Sequence, residues 1–312
     1  MKRILFTGGG GAGNEAIWRA LSGRYELFFA DAAPEAISPE IPAERRLKIP
    51  LANAVDFTDK LLKLARKHLI DLIVPGVDEE LEILAIKKGA PHWPMILLPD
   101  HDFVALMLDK FTSANAILER GLPAPKTVVA EQAINMNFPL ILKPRKGRGS
   151  RGVMKIDYAS QIPAYLGLHR SDPDSVVAQQ LLEGHEYTVF VCADEAGNLR
   201  AVIPVRVILK RGITIRAATE ENQLIIEYAK SFQNAFRPTG IYNIQCMVTP
   251  NGKVMPFEVN PRVSTTFCLA IYNGFDPFDM MFADNTESAV FVPRENMTLS
   301  RHWTNYISQN AY

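Results

Sequence analysis

A short apolar run followed by a loop made almost entirely of glycine opens the chain. The run Ile4-Leu5-Phe6-Thr7 predicts a buried strand, residues 8–13 predict a tight turn, and residues from about 14 to 22 predict a helix. Three more apolar runs follow before residue 99, and they alternate with segments whose apolar residues recur at helical spacing. Such alternation is typical of parallel strands joined by helical crossovers. We therefore expect an α/β domain with a parallel sheet over residues 1–97.

The glycine loop also satisfies the G-x-G-x-x-G pattern of dinucleotide-binding domains. Asp31 ends the next predicted strand, near the position where such domains bind a ribose. A glycine turn before a helix equally suits another anion, or close packing of strand against helix. No Tyr is followed four residues later by Lys, and the second half of the chain lacks strand–helix alternation. An NAD(P)-dependent Rossmann oxidoreductase therefore remains the less favoured alternative.

Beyond residue 98 the pattern changes to short strand-like runs joined by turns. One helix is predicted from about residue 100 to 120 and another from about 220 to 234. Residues 195–198 and 250–253 are rich in turn formers and separate pairs of strand-like runs, which predicts two β-hairpins. This half therefore reads as an antiparallel α+β domain.

Composition restricts the kinds of partner and compartment. Lys plus Arg equals Asp plus Glu, at 34 each, so the chain as a whole is not a basic nucleic-acid binder. The three cysteines lie far apart in the sequence, which favours buried thiols in a reducing compartment. No apolar run is long enough to span a membrane, and the N-terminal apolar run is too short for a signal peptide. We expect a cytoplasmic protein without nucleic-acid or membrane partners.

A glycine-rich basic segment lies between two predicted strands of the second half. Residues 143–152 carry five basic side chains and three glycines. Backbone N–H groups freed by glycine, with cationic side chains beside them, form a cradle for a polyphosphate. Strand alternation points Lys143 away from Leu140 and Leu142, so that its ammonium can reach a phosphate. A mobile, solvated basic hairpin is the alternative.

Polar residues near the end of the second hairpin have the spacing of a metal site. Glu258 and Asn260 alternate on a predicted strand, face the same side and offer oxygen donors that suit Mg²⁺. Gln245, on the preceding strand, can face them across the hairpin. Arg262 follows, where it could meet the charge that builds on a transferring phosphoryl group. A surface strand edge is the alternative.

Two weaker signals complete the candidate site. The extended segment around Gln179-Gln180-Leu181 has backbone groups that can form hydrogen bonds with the edge of a purine. Glu186, a few residues further on, is the carboxylate that we expect to bind the ribose hydroxyls. A strand end with a turn would leave the same pattern. Lys110, within Asp109-Lys110-Phe111, could contact phosphate, although a solvated helix lysine would look the same.

Taken in order, these segments resemble the ATP-grasp superfamily, most closely the synthetase domains of the carbamoyl-phosphate synthase large chain. The resemblance runs from about residue 109 to 284. Its strongest piece is Asn243-Ile244-Gln245-Cys246 followed by Phe257-Glu258-Val259-Asn260-Pro261-Arg262. Residues 1–97 resemble the small Rossmann-like domain that usually precedes an ATP-grasp unit, which gives the glycine loop an explanation other than NAD binding.

The resemblance implies a set of site residues and cofactors. It implies ATP and Mg²⁺, with Mn²⁺ as a substitute, the metal being held by Gln245, Glu258 and Asn260. It implies Arg262 and Lys143 as catalytic residues, and residues 147–152 as a mobile phosphate lid. The implied ATP contacts are Lys110, Lys143, Lys146, Gly149, Ser150, Gly152, Gln180, Leu181, Glu186 and, by a looser alignment, Lys210.

The resemblance also implies a domain plan and a reaction. The expected units are a pre-ATP-grasp domain over 1–97, an ATP-grasp domain over 98–290 with a lid subdomain at about 124–180, and a C-terminal extension over 291–312. The implied activity is ADP-forming ligation of a carboxylate to an amine or ammonia through an acyl phosphate. An amino acid, a short peptide or a sugar acid would each fit as substrate, and a homodimer is an open alternative.

Departures from the family pattern keep other functions open. Gln179 stands where carbamoyl-phosphate synthases commonly have an acidic residue, and a second synthetase half is not expected. The acceptor pocket is expected from residues 32–50, 78–80, 206–216 and 264–267. A non-catalytic ATP-binding regulator remains an alternative to the ligase.

Overall fold

Three sheets organise the part of the chain that the computed structural model describes, which comprises residues 1–282, 289–293 and 296–306. The first sheet is parallel and belongs to the N-terminal segment. The other two are antiparallel and follow it along the chain. This order confirms the predicted change from α/β to α+β architecture.

The parallel sheet has the strand order β3-β2-β1-β4-β5. Its strands are β1 Arg3–Thr7, β2 Glu26–Asp31, β3 Arg46–Lys48, β4 Leu72–Val74 and β5 Met95–Ile96. Its helices are α1 Asn14–Leu21, α2 Phe57–Lys67 and α3 Asp78–Ala85. The carboxyl ends of β1 and β4 are neighbours, so the glycine loop after β1 lies next to the start of α3.

The predicted single helix over about 100–120 is wrong, because the chain forms two helices that meet at Asp109. They are α4 His101–Leu108 and α5 Lys110–Glu119. Asp109 has extended backbone angles, and its Oδ1 accepts hydrogen bonds from Phe111 N at 2.9 Å and Thr112 N at 3.2 Å. This is N-cap chemistry, which begins a new helix where the apolar periodicity alone suggested continuity.

The four-stranded antiparallel sheet, which we call the lid sheet, has the order β6-β9-β7-β8. Its strands are β6 Thr127–Val129, β7 Leu140–Pro144, β8 Met154–Ile156 and β9 Val176–Gln180, and α6 Gln161–His169 lies between β8 and β9. The sheet has a small core of its own around Leu140, Leu142 and Tyr165. The predicted lid boundaries of about 124–180 enclose this sheet and stay a prediction.

The six-stranded antiparallel sheet has the order β14-β13-β10-β11-β12-β15. Its strands are β10 His185–Ala193, β11 Leu199–Arg211, β12 Ile213–Thr219, β13 Gly240–Val248, β14 Val254–Asn260 and β15 Thr298–Ser300. Its helices are α7 Gln223–Phe236, α8 Cys268–Tyr272 and α9 Pro277–Phe282. The β10–β11 and β13–β14 pairs confirm both predicted hairpins.

The N-terminal domain and the six-stranded sheet share one aromatic core. Phe6 stacks on Phe29 at 5.2 Å and meets the edge of Phe278, whereas Phe190 lies 5.4 Å from Phe267. Burial on this scale stabilises the contact between the two units by about 25 cal/mol for each Å² of apolar surface removed from water. The lid sheet does not enter this core. The lid sheet therefore forms a unit distinct from this larger body.

Several predictions about the chain as a whole also bear on the described residues. Cys192, Cys246 and Cys268 are buried free thiols, as expected from their spacing. Among the described residues, no helix is long and apolar enough to cross a membrane. The end of the resembling segment near residue 284 and residues 307–312 of the C-terminal extension lie outside the described residues.

Candidate functional site

Two adjoining cavities lie against the six-stranded sheet. The first has a volume of about 330 Å³ and opens between this sheet and the lid sheet. Its lining includes most of the predicted site residues: Lys110, Lys143, Gly149, Ser150, Gln180, Leu181, Glu186, Lys210, Gln245, Glu258, Asn260 and Arg262. The second has a volume of about 440 Å³ and lies between this sheet and the N-terminal domain.

Lys143 enters the first cavity from β7 and is only 5% exposed. Its Nζ donates to Gln179 Oε1 at 2.9 Å and to the Phe257 carbonyl at 3.0 Å. Burial lowers the pKa of Lys143 to about 8; Glu258 opposes this shift, and the charges of Lys110 and Lys210 add to it. Neither hydrogen-bond partner carries a charge, so the ammonium is held in position without being neutralised.

Gln179, which stands where carbamoyl-phosphate synthases commonly have an acidic residue, is a hydrogen-bond partner of Lys143. Its Oε1 accepts from Lys143 and its Nε2 donates to Thr127 Oγ1 at 2.9 Å, so both ends of the buried amide are satisfied. A carboxylate in this place would pair with Lys143 and compete with an anionic ligand. The neutral amide leaves the positive charge available to a phosphate.

The acceptor for Lys143 on the facing sheet is created by an irregularity in the β13–β14 hairpin. Gln245 pairs with Glu258, but the next pair is Cys246 with Pro256, so Phe257 has no partner in the ladder. Its carbonyl is therefore free to receive the Lys143 ammonium. This β-bulge links the lid sheet to the strand that carries Glu258 and Asn260.

Lys110 is the first residue of α5 and is held by the cap before it. Asp109 caps the helix and also binds the Arg145 guanidinium, with Nη2 to Oδ2 at 2.6 Å. Burial raises the pKa of Asp109, but Arg145 and the two capping N–H groups outweigh it and lower the pKa below its usual value. Lys110 Nζ in turn donates to the Gly147 carbonyl at 2.7 Å and lies 3.5 Å from Glu258 Oε1.

Lys210 and Glu186 form an ion pair inside the first cavity. Lys210 Nζ lies 2.6 Å from Glu186 Oε1, and the two side chains come from adjacent strands β11 and β10. The loosely aligned Lys210 is therefore brought into contact with the residue predicted to hold a ribose. Together they present a cation and a carboxylate at one wall of the cavity.

Apolar side chains beside this ion pair suit an aromatic base. Apolar side chains of Ile141, Leu182, Met247 and Phe257 line the cavity there, and sequence reasoning had not singled out the first three. In the described part of the chain, no hydrogen bond uses the backbone groups of Leu181, so they are free to read a purine edge. The backbone N–H of Gln180 is already bound to the Lys126 carbonyl at 2.9 Å, which leaves Leu181 as the better reader.

The donor set for a metal consists of one carboxylate and two amides. Gln245 and Glu258 are cross-strand partners, and Asn260 follows two residues later on the same face of β14. The described residues contain no group of three or more His, Cys, Asp or Glu that could hold a metal. One carboxylate with neutral oxygens fits Mg²⁺, which takes its remaining ligands from phosphates and water.

Arg262 lies where the two cavities meet and lines both. Its Nε donates to Asp78 Oδ1 at the start of α3, and its Nη1 donates to the Val263 carbonyl at 2.9 Å. Asp78 thus fixes the guanidinium from the N-terminal domain, a partner that a linear sequence pattern could not indicate. The arrangement aims a permanent positive charge at the boundary between the cavities.

Two of the predicted ATP contacts do not line the first cavity. Lys146 points outward, with its side chain 65% exposed and its Nζ 3.6 Å from Glu82. Gly152 lies behind the loop, where its carbonyl accepts a hydrogen bond from Tyr165 OH. The neighbouring residues Arg148 and Arg151 line the cavity instead, and Arg148 Nε also lies 3.1 Å from Glu79 Oε2.

The second cavity collects the segments expected to form the acceptor pocket. Each of them contributes lining residues, but the three arginines within residues 206–216 do not line the cavity. Gly8, Gly10 and Gly11 of the glycine loop also line it. Asp31 does not offer a free carboxylate there, because it accepts hydrogen bonds from Gly10 N at 2.9 Å and Ala33 N at 3.1 Å.

Glu80 is a buried carboxyl group in the wall of the second cavity. It is only 2% exposed, and its Oε1 accepts from Gly76 N at 3.0 Å, from Val77 N at 3.1 Å and from Thr7 Oγ1. Burial raises the pKa of Glu80 to about 7, against the hydrogen bonds of Thr7, Val77 and Gly76 and the charge of Arg262, which lower it.

Comparison with known proteins identifies the family. The sequence matches the family model of the ATP-grasp domain over residues 107–266, a little over half of the 312 residues. It is 22% identical over 303 residues to the carbamoyl phosphate synthase arginine-specific large chain of Bacillus subtilis, covering 85% of this chain and 28% of that one. It is 27% identical over 153 residues to the D-alanine–D-alanine ligase of Corynebacterium aurimucosum, covering 45% and 42% respectively.

The architecture agrees with this match. Carboxyaminoimidazole ribonucleotide synthase from Aspergillus clavatus, solved in complex with ATP, superimposes with a TM-score of 0.70 at 15% identity, covering 95% of this chain and 81% of that one. At this identity the likeness is one of fold. The chain spans less than half of the length of either sequence relative. Its parallel-sheet domain followed by two antiparallel sheets is the ATP-grasp fold, and the chain belongs to the ATP-grasp domain family.

Proposed function

We propose that the protein is an ATP- and Mg²⁺-dependent ligase that joins a small-molecule carboxylate to an amine or ammonia through an acyl phosphate. The observation that carries this proposal is the convergence of Lys143, Glu258 and Arg262 on one cavity that opens into a second. Six residues line both cavities: Arg148, Gly149, Lys210, Gly212, Gln245 and Arg262. A phosphoryl group held in the first cavity would thus face a carboxylate held in the second.

Phosphoryl transfer needs positioning and charge more than it needs a nucleophilic side chain. A carboxylate oxygen is a poor leaving group, and its phosphorylation by ATP turns it into phosphate. The ammonium of Lys143 and the guanidinium of Arg262 are both fixed by hydrogen bonds before any ligand binds, so they need little reorganisation as charge moves. The amine then attacks the acyl carbon and phosphate departs.

Glu258, with Gln245 and Asn260, would hold Mg²⁺. The metal would supply charge neutralisation on the phosphate oxygens. The single carboxylate in the donor set supports Mg²⁺, and Mn²⁺ should substitute for it because it accepts the same oxygen donors. Lys110, 3.5 Å from Glu258, would add a second cation to the same phosphates.

The lid loop supplies the enclosure that an acyl phosphate requires. The Gly147 carbonyl accepts a hydrogen bond from Lys110, and Arg148 donates one to Glu79. The loop therefore extends from the first cavity to the N-terminal domain. Exclusion of water by a closed loop protects a reactive intermediate from hydrolysis. The proposed lid mobility and a homodimer are further expectations of this function.

A binding measurement separates the ligase from the dinucleotide alternative. The melting temperature of the purified protein would be compared with Mg²⁺–ATP, with ATP and EDTA, and with NADPH. A ligand at about 100 times its Kd adds about 2.7 kcal/mol of stability, a shift of a few degrees for a chain of this size. The proposal expects the largest shift with Mg²⁺–ATP, and a shift with NADPH alone would refute it.

A turnover measurement separates a ligase from a non-catalytic ATP-binding regulator. ADP release would be followed with a panel of carboxylates and amines, using wild type, Arg262→Ala and a control, Arg66→Ala, which removes an exposed arginine of α2. Arg262→Ala should lose turnover by at least about 100-fold, in line with the loss of one transition-state donor, while the Mg²⁺–ATP melting shift persists. Near-normal turnover in Arg262→Ala would contradict the catalytic assignment.

A further inference from the structure

The buried carboxyl group of Glu80 has one oxygen that the fold uses and one that it does not. Gly76 N, Val77 N and Thr7 Oγ1 all donate to Oε1. Among the described residues, no donor lies within hydrogen-bond distance of Oε2. Because Glu80 lines the second cavity, the free oxygen is available to a molecule bound there.

The fold supplies Glu80 with hydrogen-bond donors but with no cation. The guanidinium of Arg262, whose charge acts on Glu80, makes its hydrogen bonds to Asp78 and to the Val263 carbonyl. In the described part of the chain, no Lys, Arg or His lies within ion-pair distance of the Glu80 carboxylate. A buried carboxylate without a counter-ion is expensive, and such groups concentrate at functional sites.

A helix cap does not account for this arrangement. Glu80 does accept hydrogen bonds at the start of α3, but a neutral glutamine could accept the same three bonds through its amide oxygen. The carboxylate differs from that amide in two respects: it attracts a cation, and it can take up a proton. Both properties suit a group that meets an incoming ammonium ion.

On the basis of the proposed ligase function, we propose that Glu80 binds the amine substrate as its ammonium ion and then acts as the general base that frees its lone pair. The substrate class is therefore a protonated amine, including ammonium itself, rather than an alcohol or a thiol. Thr7, Gly76 and Val77 hold Oε1, which leaves Oε2 as the oxygen that can meet a ligand in the cavity. Arg262, at the junction of the cavities, lies on the side from which the acyl phosphate would present its carbon.

Deprotonation of the amine and its attack on the acyl phosphate balance in protons and electrons. The ammonium R′NH₃⁺ gives one proton to the Glu80 carboxylate and becomes R′NH₂. Its lone pair forms the C–N bond at the acyl carbon, and the C–O bond to phosphate breaks with its electron pair on the departing oxygen. The second N–H proton leaves with the phosphate as HPO₄²⁻. Amide, HPO₄²⁻ and neutral Glu80 result, and Glu80 later returns its proton to water.

Hydroxylamine separates this role from every earlier step, since it is mostly unprotonated at neutral pH and attacks acyl phosphates without a base. Wild type and Glu80→Gln would receive Mg²⁺–ATP and a panel of amino acids, short peptides, sugar acids and bicarbonate as carboxylates. Each mixture would contain either hydroxylamine or ammonium chloride, with the amino acids also serving as amines. Hydroxamate would be measured by its ferric complex, and amides by mass spectrometry.

The expected result is a split between the two nucleophiles. Glu80→Gln should lose amide formation by about 100-fold, the scale of general base catalysis, while hydroxamate formation falls by less than about threefold. Glu119→Gln, a change at an exposed glutamate of α5, should alter neither product. Equal losses of both products in Glu80→Gln, or no loss of either, would overturn the proposed role of Glu80.

Two further outcomes are decisive. Absence of hydroxamate from wild type with every carboxylate would overturn the ligase function itself, and this inference with it. Hydroxamate from wild type without any amide would overturn the role of Glu80 alone. Should Glu80→Gln fail to fold, Glu80→Asp keeps a carboxylate but withdraws it by one methylene; it should lower the ratio of amide to hydroxamate at least threefold, and an unchanged ratio would count against the proposal.

Discussion

Arg148 in the lid loop lies 3.1 Å from Glu79 at the start of α3, so the loop over the first cavity is held by the N-terminal domain. Both side chains are substantially exposed, at 40% and 54%. An ion pair this open to water contributes less than about 1 kcal/mol to stability. Its effect should therefore be on the position of the loop rather than on the free energy of unfolding.

Removal of this ion pair should open the lid without unfolding the protein. Glu79→Gln is expected to change the free energy of unfolding by less than about 1 kcal/mol and to raise the rate of tryptic cleavage within residues 143–152 several-fold. The control is Glu82→Gln on the same helix, whose contact with Lys146 is longer at 3.6 Å and should matter less. Identical cleavage of both variants and wild type would mean that the Arg148–Glu79 ion pair does not hold the loop in place.

ATP affinity should fall as the pH rises above about 8. Burial lowers the pKa of Lys143 to about 8, so the free site loses its ammonium there, whereas bound phosphate requires it. The melting shift produced by Mg²⁺–ATP should shrink above that pH, with affinity falling by up to about tenfold per pH unit. Lys143→Met should show a small shift at every pH, and Lys63→Met, a change at an exposed lysine of α2, should behave as wild type.

The ligand-free protein should respond to pH in the opposite direction. Above about 8 and up to the usual range of a lysine, the unfolded chain keeps a proton on Lys143 that the folded chain has lost. Stability rises with pH wherever the unfolded state binds more protons, so this residue should add to the free energy of unfolding across that window. Denaturant titrations of wild type and Lys143→Met would test it, and parallel pH profiles would contradict it.

Asp109 should contribute to stability through two separable interactions. Asp109→Ala removes both the cap of α5 and the partner of Arg145, and should cost about 1–2 kcal/mol of unfolding free energy. Asp109→Asn keeps an oxygen that can cap the helix, so its cost should be less than half as large. Chemical denaturation would measure both values, and equal costs would mean that the cap contributes nothing.

Removal of the single carboxylate should uncouple ATP binding from the metal. Glu258→Gln is nearly isosteric, but it offers only a neutral oxygen beside Gln245 and Asn260. In wild type the melting shift with Mg²⁺–ATP should exceed that with ATP and EDTA. In Glu258→Gln the two shifts should coincide, and a preserved difference would place the metal elsewhere.

Local periodicity was sufficient to foresee the pairing at the centre of the site. Alternation along one predicted strand put Glu258 and Asn260 on one face, and a turn-rich segment put Gln245 opposite them, as the hairpin register bears out. Four of the five strands of the parallel sheet followed equally from alternating strand and helix patterns, whereas β3 was not predicted. These features depend on residues that are close in sequence.

Contacts between distant segments could not be read from the same patterns. Asp78 is the partner of Arg262 only because α3 and the loop after β14 meet in three dimensions. Lys146 and Gly152 were expected in the cavity from the family resemblance, and a glycine-rich loop has no period that could have shown that they lie on its other face. Asp109 is a residue type that commonly caps a helix, but the apolar spacing continues across it, so the break between α4 and α5 was not predicted.

The unpaired Phe257 divides the β13–β14 hairpin into two paired segments of different register. Strand residues change face at every step, so an insertion in an uninterrupted hairpin can rotate every later side chain to the wrong side. Here the bulge separates the pairs near the turn from the pairs that carry Gln245, Glu258, Asn243 and Asn260. Length variation in the turn at 250–253 can thus be absorbed before it reaches these four residues, which makes that turn a suitable place for a spectroscopic label or an inserted tag.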